Sequence, residues 1–235
     1  MSCYVLVHGA SHGAWCWDKV VPHLQQYGHT VVAPDLPGHG QDRTPIRDVT
    51  LKAYTDRVCD VIDAQKDDVI LVGHSMAGIV ITQTAEYRPD KIRKLVYLAA
   101  LMPTDGKSLL DTNEEIRDPT VRVVADDALS FVYKNELLKQ LFYGDCSEED
   151  IAFARSRLVP QPMAPVTEPV HLTEGRYGQV KRIYIECLQD GIIPPAFQKK
   201  MYTAVPCERV ISMDTSHSPF FSQPEALARH LHSLG

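Results

Sequence analysis

No apolar run in the 235 residues approaches the ~20 needed to cross a bilayer, which excludes a helical membrane protein. The first residues lack a basic segment, an apolar stretch and a small-residue cleavage site, so nothing marks the chain for export and a cytoplasmic location is expected. Basic residues are in deficit, 24 Lys and Arg against 30 Asp and Glu for a net charge of −6, and no stretch gathers them into a stripe that could follow phosphates. Nucleic acid is therefore excluded as a partner. The six cysteines (Cys3, Cys16, Cys59, Cys146, Cys187, Cys207) show no C-x-x-C spacing, so a cysteine zinc clamp and a redox pair both fall away, leaving reduced thiols. No strand-GxGxxG-helix register surrounds Gly38-His39-Gly40, which follows Asp35-Leu36-Pro37 as a turn, and a nucleotide site has no support. Repeats and low-complexity tails are also missing. What is present is the make-up of an ordinary globular protein, 44% hydrophobic and 23% charged, at a length that suits a single α/β domain.

Short apolar runs at Cys3–Val7, Val31–Ala33, Val69–Val72, Leu95–Leu98 and Ile183–Ile185, with a weaker one at Val210-Ile211, read as strands buried on both faces. Between them, 17–27, 51–64, 77–87 and 195–202 carry apolar residues at spacings of three and four and read as helices, with a last helix over 224–234. This alternation predicts an α/β fold with a mostly parallel central sheet and helices on both faces. The rhythm stops over 103–177. Helical pieces at 128–142 and 148–158 are expected there, followed by an extended stretch through Pro160, Pro162, Pro165 and Pro169. We read 1–102 and 178–235 as the core and 103–177 as an inserted helical cap.

The sharpest local signal is Val69-Ile70-Leu71-Val72-Gly73-His74-Ser75-Met76-Ala77-Gly78, a buried strand running into Gly-x-Ser-x-Ala-Gly and then a helix. It has the form of a nucleophile elbow, whose tight turn demands small residues two before and two after the serine. Gly73 and Ala77 meet that demand, and Ala77 departs from G-x-S-x-G by one methyl. The alternative is a structural serine at a helix N-cap.

A serine hydroxyl is a poor nucleophile until a histidine removes its proton and an acid orients that ring. With a strand-elbow-helix, acid and base follow the serine on loops after later strands, where open α/β sheets assemble their sites. Asp190 and His217 occupy such positions. His171 falls in the cap, and His230 and His232 fall on the terminal helix. Asp214 competes with Asp190, but a separate strand-end loop reaches the distal ring nitrogen more easily than a turn three residues from the histidine. Acyl transfer also needs two backbone N–H donors for the developing oxyanion, and Met76 and Ala10 are the candidates, the latter in the loop His8-Gly9-Ala10-Ser11-His12-Gly13. His8 and His12 could chelate a metal only on a helix, which Gly9 and Gly13 oppose. Trp15 and Trp17 are expected to anchor the first helix. Gly9, Ser11, His74, Met102, Phe131 and Phe142 are the candidates for contact with substrate, and Leu141 is read with Met102, Phe131 and Phe142 as lining an apolar pocket or packing within the cap.

Together, Val5–Trp17 with its His8-Gly9-Ala10-Ser11-His12-Gly13-Ala14-Trp15 core, Gly73–Gly78, Val180–Ile185 and Ile193–Gln198 make the chain resemble the α/β-hydrolase superfamily, in its methylesterase and hydroxynitrile lyase branch. The resemblance spans nearly the whole chain and is weakest across the cap. It implies a Ser75, Asp190, His217 triad, an oxyanion hole from the Ala10 and Met76 amides, no cofactor or metal, a small-molecule ester substrate and a homodimer. Lyases of the branch typically carry a threonine in the early loop and a lysine directly after the base histidine, where this chain has Gly9 and Ser218. The expected function is therefore a serine carboxylesterase acting on small, aryl or apolar esters. A cyanohydrin lyase and a non-catalytic small-ligand module are the alternatives.

Overall fold

The computed structural model describes residues 1–235. Its strands are β1 (Cys3–Val7), β2 (Thr30–Val32), β3 (Val69–His74), β4 (Ile92–Leu98), β5 (Arg122–Val124), β6 (Ser130–Tyr133), β7 (Gln161–Pro162), β8 (Arg182–Cys187) and β9 (Arg209–Met213). Six of them form one sheet in the order β2-β1-β3-β4-β8-β9, and every pairing in it is parallel. Parallel neighbours need crossovers, and helices supply them, so the inner strands β1, β3, β4 and β8 are covered on both sides, whereas the edge strands β2 and β9 are partly exposed. Side-chain alternation then splits the interior into two cores. Val5, Val7, Leu71, Leu95 and Tyr97 pack with Tyr54, Val58 and Ile62 of helix Leu51–Asp63 and with Phe197 and Met201 of helix Pro195–Ala204. On the other face, Tyr4, Leu6, Ile70, Val72, Val96 and Leu98 belong with Trp17, Leu24 and Leu227 and Leu231 of helix Pro224–His232.

The expected strands and the helices over 51–64, 77–87 and 195–202 are found within a few residues of their predicted limits. The first helix differs. A 3₁₀ turn over Ala14–Trp17 precedes a helix that starts only at Val21, because Pro22 has no N–H and is tolerated in a first turn rather than in a helix interior. Trp17 is fully buried, and Trp15 stacks between His12 and Phe221.

The segment between β4 and β8 departs most from expectation. The predicted helix over 128–142 is instead a hairpin followed by a short helix: β5 and β6 pair antiparallel, β7 extends them to three strands, and only Leu138–Phe142 is α-helical. Two features account for this. Asp127 Oδ1 accepts from the Leu129 N–H at 3.0 Å while Ala128 takes φ 58°, which closes a turn. After it, Ser-Phe-Val-Tyr is an aromatic and β-branched run suited to a pleated surface. In the proline-rich stretch, Gln161–Pro162 is extended, but Ala164–Thr167 is a helical turn with Pro165 in its first turn. The excursion is thus part helix and part sheet. All six cysteines are free, five of them buried, and no helix is long and apolar enough to cross a membrane.

Candidate active site

Strand β3 delivers Ser75 at its carboxyl end, at the centre of the sheet, and helix Ala77–Tyr87 starts two residues later. Ser75 has φ 56°, a left-handed conformation that costs a non-glycine residue ~1–3 kcal/mol and persists only when the surroundings enforce it. They do so here. The Ser75 N–H donates to the Leu98 carbonyl, and the Ser75 carbonyl accepts from the amides of Gly78 and Leu101. A Cβ on Gly73 would stand 2.9 Å from the Ala77 carbonyl oxygen and from Ile81, which is why the position two before the serine must be bare.

The early loop lies directly against this turn. A Cβ on Gly9 would come within 3.0 Å of Ser75 Cβ and 2.9 Å of His74 Nδ1. Neither the Ala10 nor the Met76 N–H donates to any protein acceptor, and both residues border the same cavity as Ser75. The Ala10 peptide is held from its other side: His12 Nδ1–H donates to the Ala10 carbonyl at 2.7 Å, and His12 Nε2 accepts from the Tyr143 hydroxyl at 2.7 Å. Sequence reasoning gave His12 no such role. Its partner Tyr143 lies 131 residues away, so nothing local to the loop announces the contact.

Asp190 follows β8, and His217 follows β9. His217 Nδ1–H donates to Asp190 Oδ2 at 2.6 Å with both side chains fully buried. The other carboxylate oxygen accepts from the Ile192 and Ile193 amides, each at 2.8 Å, and Gln198 Nε2 reaches Oδ2 at 3.4 Å. Asp214 is turned away and accepts from Gln189. The His217 loop is tied to the elbow because His74 Nε2–H donates to the His217 carbonyl at 2.9 Å, with the two rings 4.5 Å apart. His217 Nε2 has no hydrogen-bond partner, and Ser75 Oγ forms none in this structure. Such bonds are often unformed without substrate. His171 is elsewhere, its backbone bonded to Gln83, and His232, on the terminal helix, bonds His29 immediately before β2.

A cavity of about 470 Å³ opens over Ser75 between the sheet's carboxyl edge and the excursion. Leu101, Leu109, Ile116, Leu141, Val166 and Ile193 make most of its wall apolar. Among the residues expected at the substrate or its apolar pocket, Phe131 and Leu141 line it. Gly9, Ser11, His74, Met102 and Phe142 do not. Ser11, His74, Met102 and Phe142 are buried, the last with its ring against His217, and Ser11 is held through its amide by Gln161. Sequence reasoning missed Arg122, Tyr133 and Gln140, which do line it.

Burial holds His8, His12 and His74 below the usual imidazole range, His12 at about 4, with neighbouring imidazoles adding repulsion. A folded-state value below the unfolded one means that the unfolded chain takes up the proton first. Stability is therefore whole above about pH 6.5 and is lost as the pH falls toward 4, by about 3 kcal/mol from His12 alone. Urea unfolding measured between pH 7.5 and 4.5 is expected to show that decline, and a flat profile across the window contradicts it.

The sequence model of the alpha/beta hydrolase family matches residues 4–230. Among curated proteins of Arabidopsis thaliana, the chain is 36% identical to "Putative methylesterase 11, chloroplastic", covering 97% of this chain and 62% of that protein. It is 34% identical to Methylesterase 7, covering 95% and 92%. The chain thus spans less than two thirds of the length of the first relative and nearly all of the second. Among solved structures, polyneuridine aldehyde esterase superposes with a TM-score of 0.91 at 27% identity, covering 100% of this chain and 99% of that one. A pyrethroid hydrolase from Sphingobium faniae JZ-2 superposes with a TM-score of 0.88 at 29% identity, covering 99% and 96%.

Proposed function

Because this chain belongs to the alpha/beta hydrolase family, we propose that it is a serine carboxylesterase, with Ser75 as nucleophile, His217 as base and Asp190 as the acid that orients the base. The observation that carries this reading is the elbow: Ser75 opens on a cavity whose wall also holds two uncommitted amides, Ala10 and Met76. His217 Nε2 accepts the Ser75 proton as Oγ attacks the ester carbonyl, and charge moves onto the carbonyl oxygen between the two N–H groups. The imidazolium gives the proton to the departing alkoxide, leaving an acyl-enzyme. Water, deprotonated by the same histidine, attacks that acyl group, and the acid leaves as Ser75 regains its proton. No cofactor takes part.

The methylesterase and esterase names of the relatives fit this reaction class. Against cyanohydrin cleavage stands the crowding at Gly9: a β-carbon there meets Ser75 and His74, leaving no space for the threonine typical of the lyases. Free thiols suit a reducing compartment, for which we propose the cytoplasm. A panel of methyl, aryl and longer-chain esters, with products identified, is expected to give stoichiometric acid and alcohol and covalent labelling of Ser75 by a fluorophosphonate. Cyanide release from mandelonitrile without ester turnover reverses the assignment, and ligand binding with neither reaction removes the enzyme reading.

A further inference from the structure

Resting on the ester-hydrolase reading, we propose that the cavity is built for half-esters of dicarboxylic acids, with the ester at Ser75 and the free carboxylate held by Arg122. The argument begins with strand register. Arg122 pairs with Tyr133 and Val124 with Phe131, so Arg122, Phe131 and Tyr133 project from one face of the β5-β6 hairpin. That face borders the cavity, and all three residues line it. Val123 and Val132 project from the opposite face and are exposed, and Val124, on the same face as Phe131, is exposed beyond the cavity. The hairpin that replaces the expected helix therefore points a cation and two aromatic rings at the substrate.

Arg122 is half-buried, with its guanidinium 4.9 Å from the centre of the Phe131 ring. It joins none of the protein's nine ion pairs and donates no hydrogen bond. Arg88, by contrast, is matched to Asp63, and Arg182 to main-chain carbonyls. The one carboxylate on the cavity rim, Asp118, accepts from the amide and hydroxyl of Thr120 within its own turn and feels the charge of Arg122 without forming an ion pair or hydrogen bond with it. Arg117 borders the same rim, also unpaired, and adds a second positive charge. The Tyr133 hydroxyl has no partner either. A neutral acyl tail would use none of these groups. A carboxylate matches the planar fork of an arginine and would satisfy its unmet donors, while the cavity's apolar wall suits a methylene or aryl spacer.

The test compares monomethyl esters of dicarboxylic acids of increasing length with methyl esters of the matching monocarboxylic acids. In the wild type the best half-ester is expected to exceed its neutral counterpart in kcat/KM by about tenfold or more, chiefly through KM, and added salt compresses the difference. Arg122→Gln should erase the preference, read as the ratio of half-ester to neutral-ester kcat/KM within the same variant. Arg122→Lys should keep part of it, and Arg117→Gln, which leaves the Phe131 stack intact, should weaken it about two- to threefold. A wild type indifferent to the distal carboxylate, or a preference that survives Arg122→Gln in a protein with unchanged melting, overturns the proposal. Calorimetric titration with the free dicarboxylic acids needs no turnover and separates the two readings. Diacid binding that depends on Arg122 in a protein inert to every ester upholds the subsite and removes the esterase; ester turnover without diacid binding does the reverse.

Discussion

Ser75→Ala is expected to lower kcat/KM for a 4-nitrophenyl ester by at least about 10³-fold, a loss of ~4 kcal/mol of transition-state stabilisation. The change deletes only Oγ. Alanine keeps the β-carbon, and with it the same cost of φ 56°, while the backbone bonds to Leu98, Gly78 and Leu101 are untouched. Since Oγ makes no hydrogen bond in the fold, the unfolding free energy should move by less than about 0.5 kcal/mol. Lost turnover with unchanged stability and no phosphonate labelling identifies the nucleophile. Wild-type turnover in a clean preparation rejects it.

Asp190→Asn is expected to reduce kcat by about 10²- to 10⁴-fold with KM little altered, through the protonation pattern of the imidazole rather than its position. The amide has only one way to sit. Its oxygen must stay where Oδ1 accepts from the Ile192 and Ile193 amides, which turns the NH₂ toward His217 Nδ1 and toward the Gln198 amide nitrogen. A donor facing Nδ1 forces the ring proton onto Nε2, the atom that has to receive the serine proton. Asp190→Ala, which permits either tautomer, should be less or equally damaging to kcat and more damaging to stability, because two amides lose their acceptor. Steady-state kinetics alongside urea unfolding of both variants decides the point. Near-wild-type kcat in Asp190→Asn shows that another group orients the base.

What could be read in the sequence follows from how local its causes are. Strands β1, β3, β4 and β8 declare themselves because a strand buried on both faces must be almost wholly apolar, and the elbow does so because a tight turn admits only small neighbours. Asp190 and His217 could be placed on strand-end loops, yet their 2.6 Å contact depends on β8 and β9 lying side by side. The excursion was the least legible part. Its strands are two to four residues long, and the spacing of Leu129, Val132, Leu137 and Leu141 imitates a helix, so only the Asp127 turn separates the alternatives. With the hairpin misread, Arg122 and Tyr133 could not be assigned to one face. Phe131 was identified by its apolar bulk, a signal that Met102 and Phe142 share while packing elsewhere. Likewise, a histidine between glycines says nothing of a tyrosine hydroxyl that reaches it from a distant helix end.

The placement of the excursion between β4 and β8 also shapes how the molecule comes together. β4 pairs with β8 only after the chain has closed a loop through the entire excursion, and closure over such a separation is slow compared with helix formation. Until then β4 is an open border, with Leu95, Val96, Tyr97 and Leu98 offering unmatched peptide groups flanked by apolar side chains. A nascent chain in that condition is a template for a stray strand, so yield on refolding should be governed by protein concentration and by how quickly the last two strands dock.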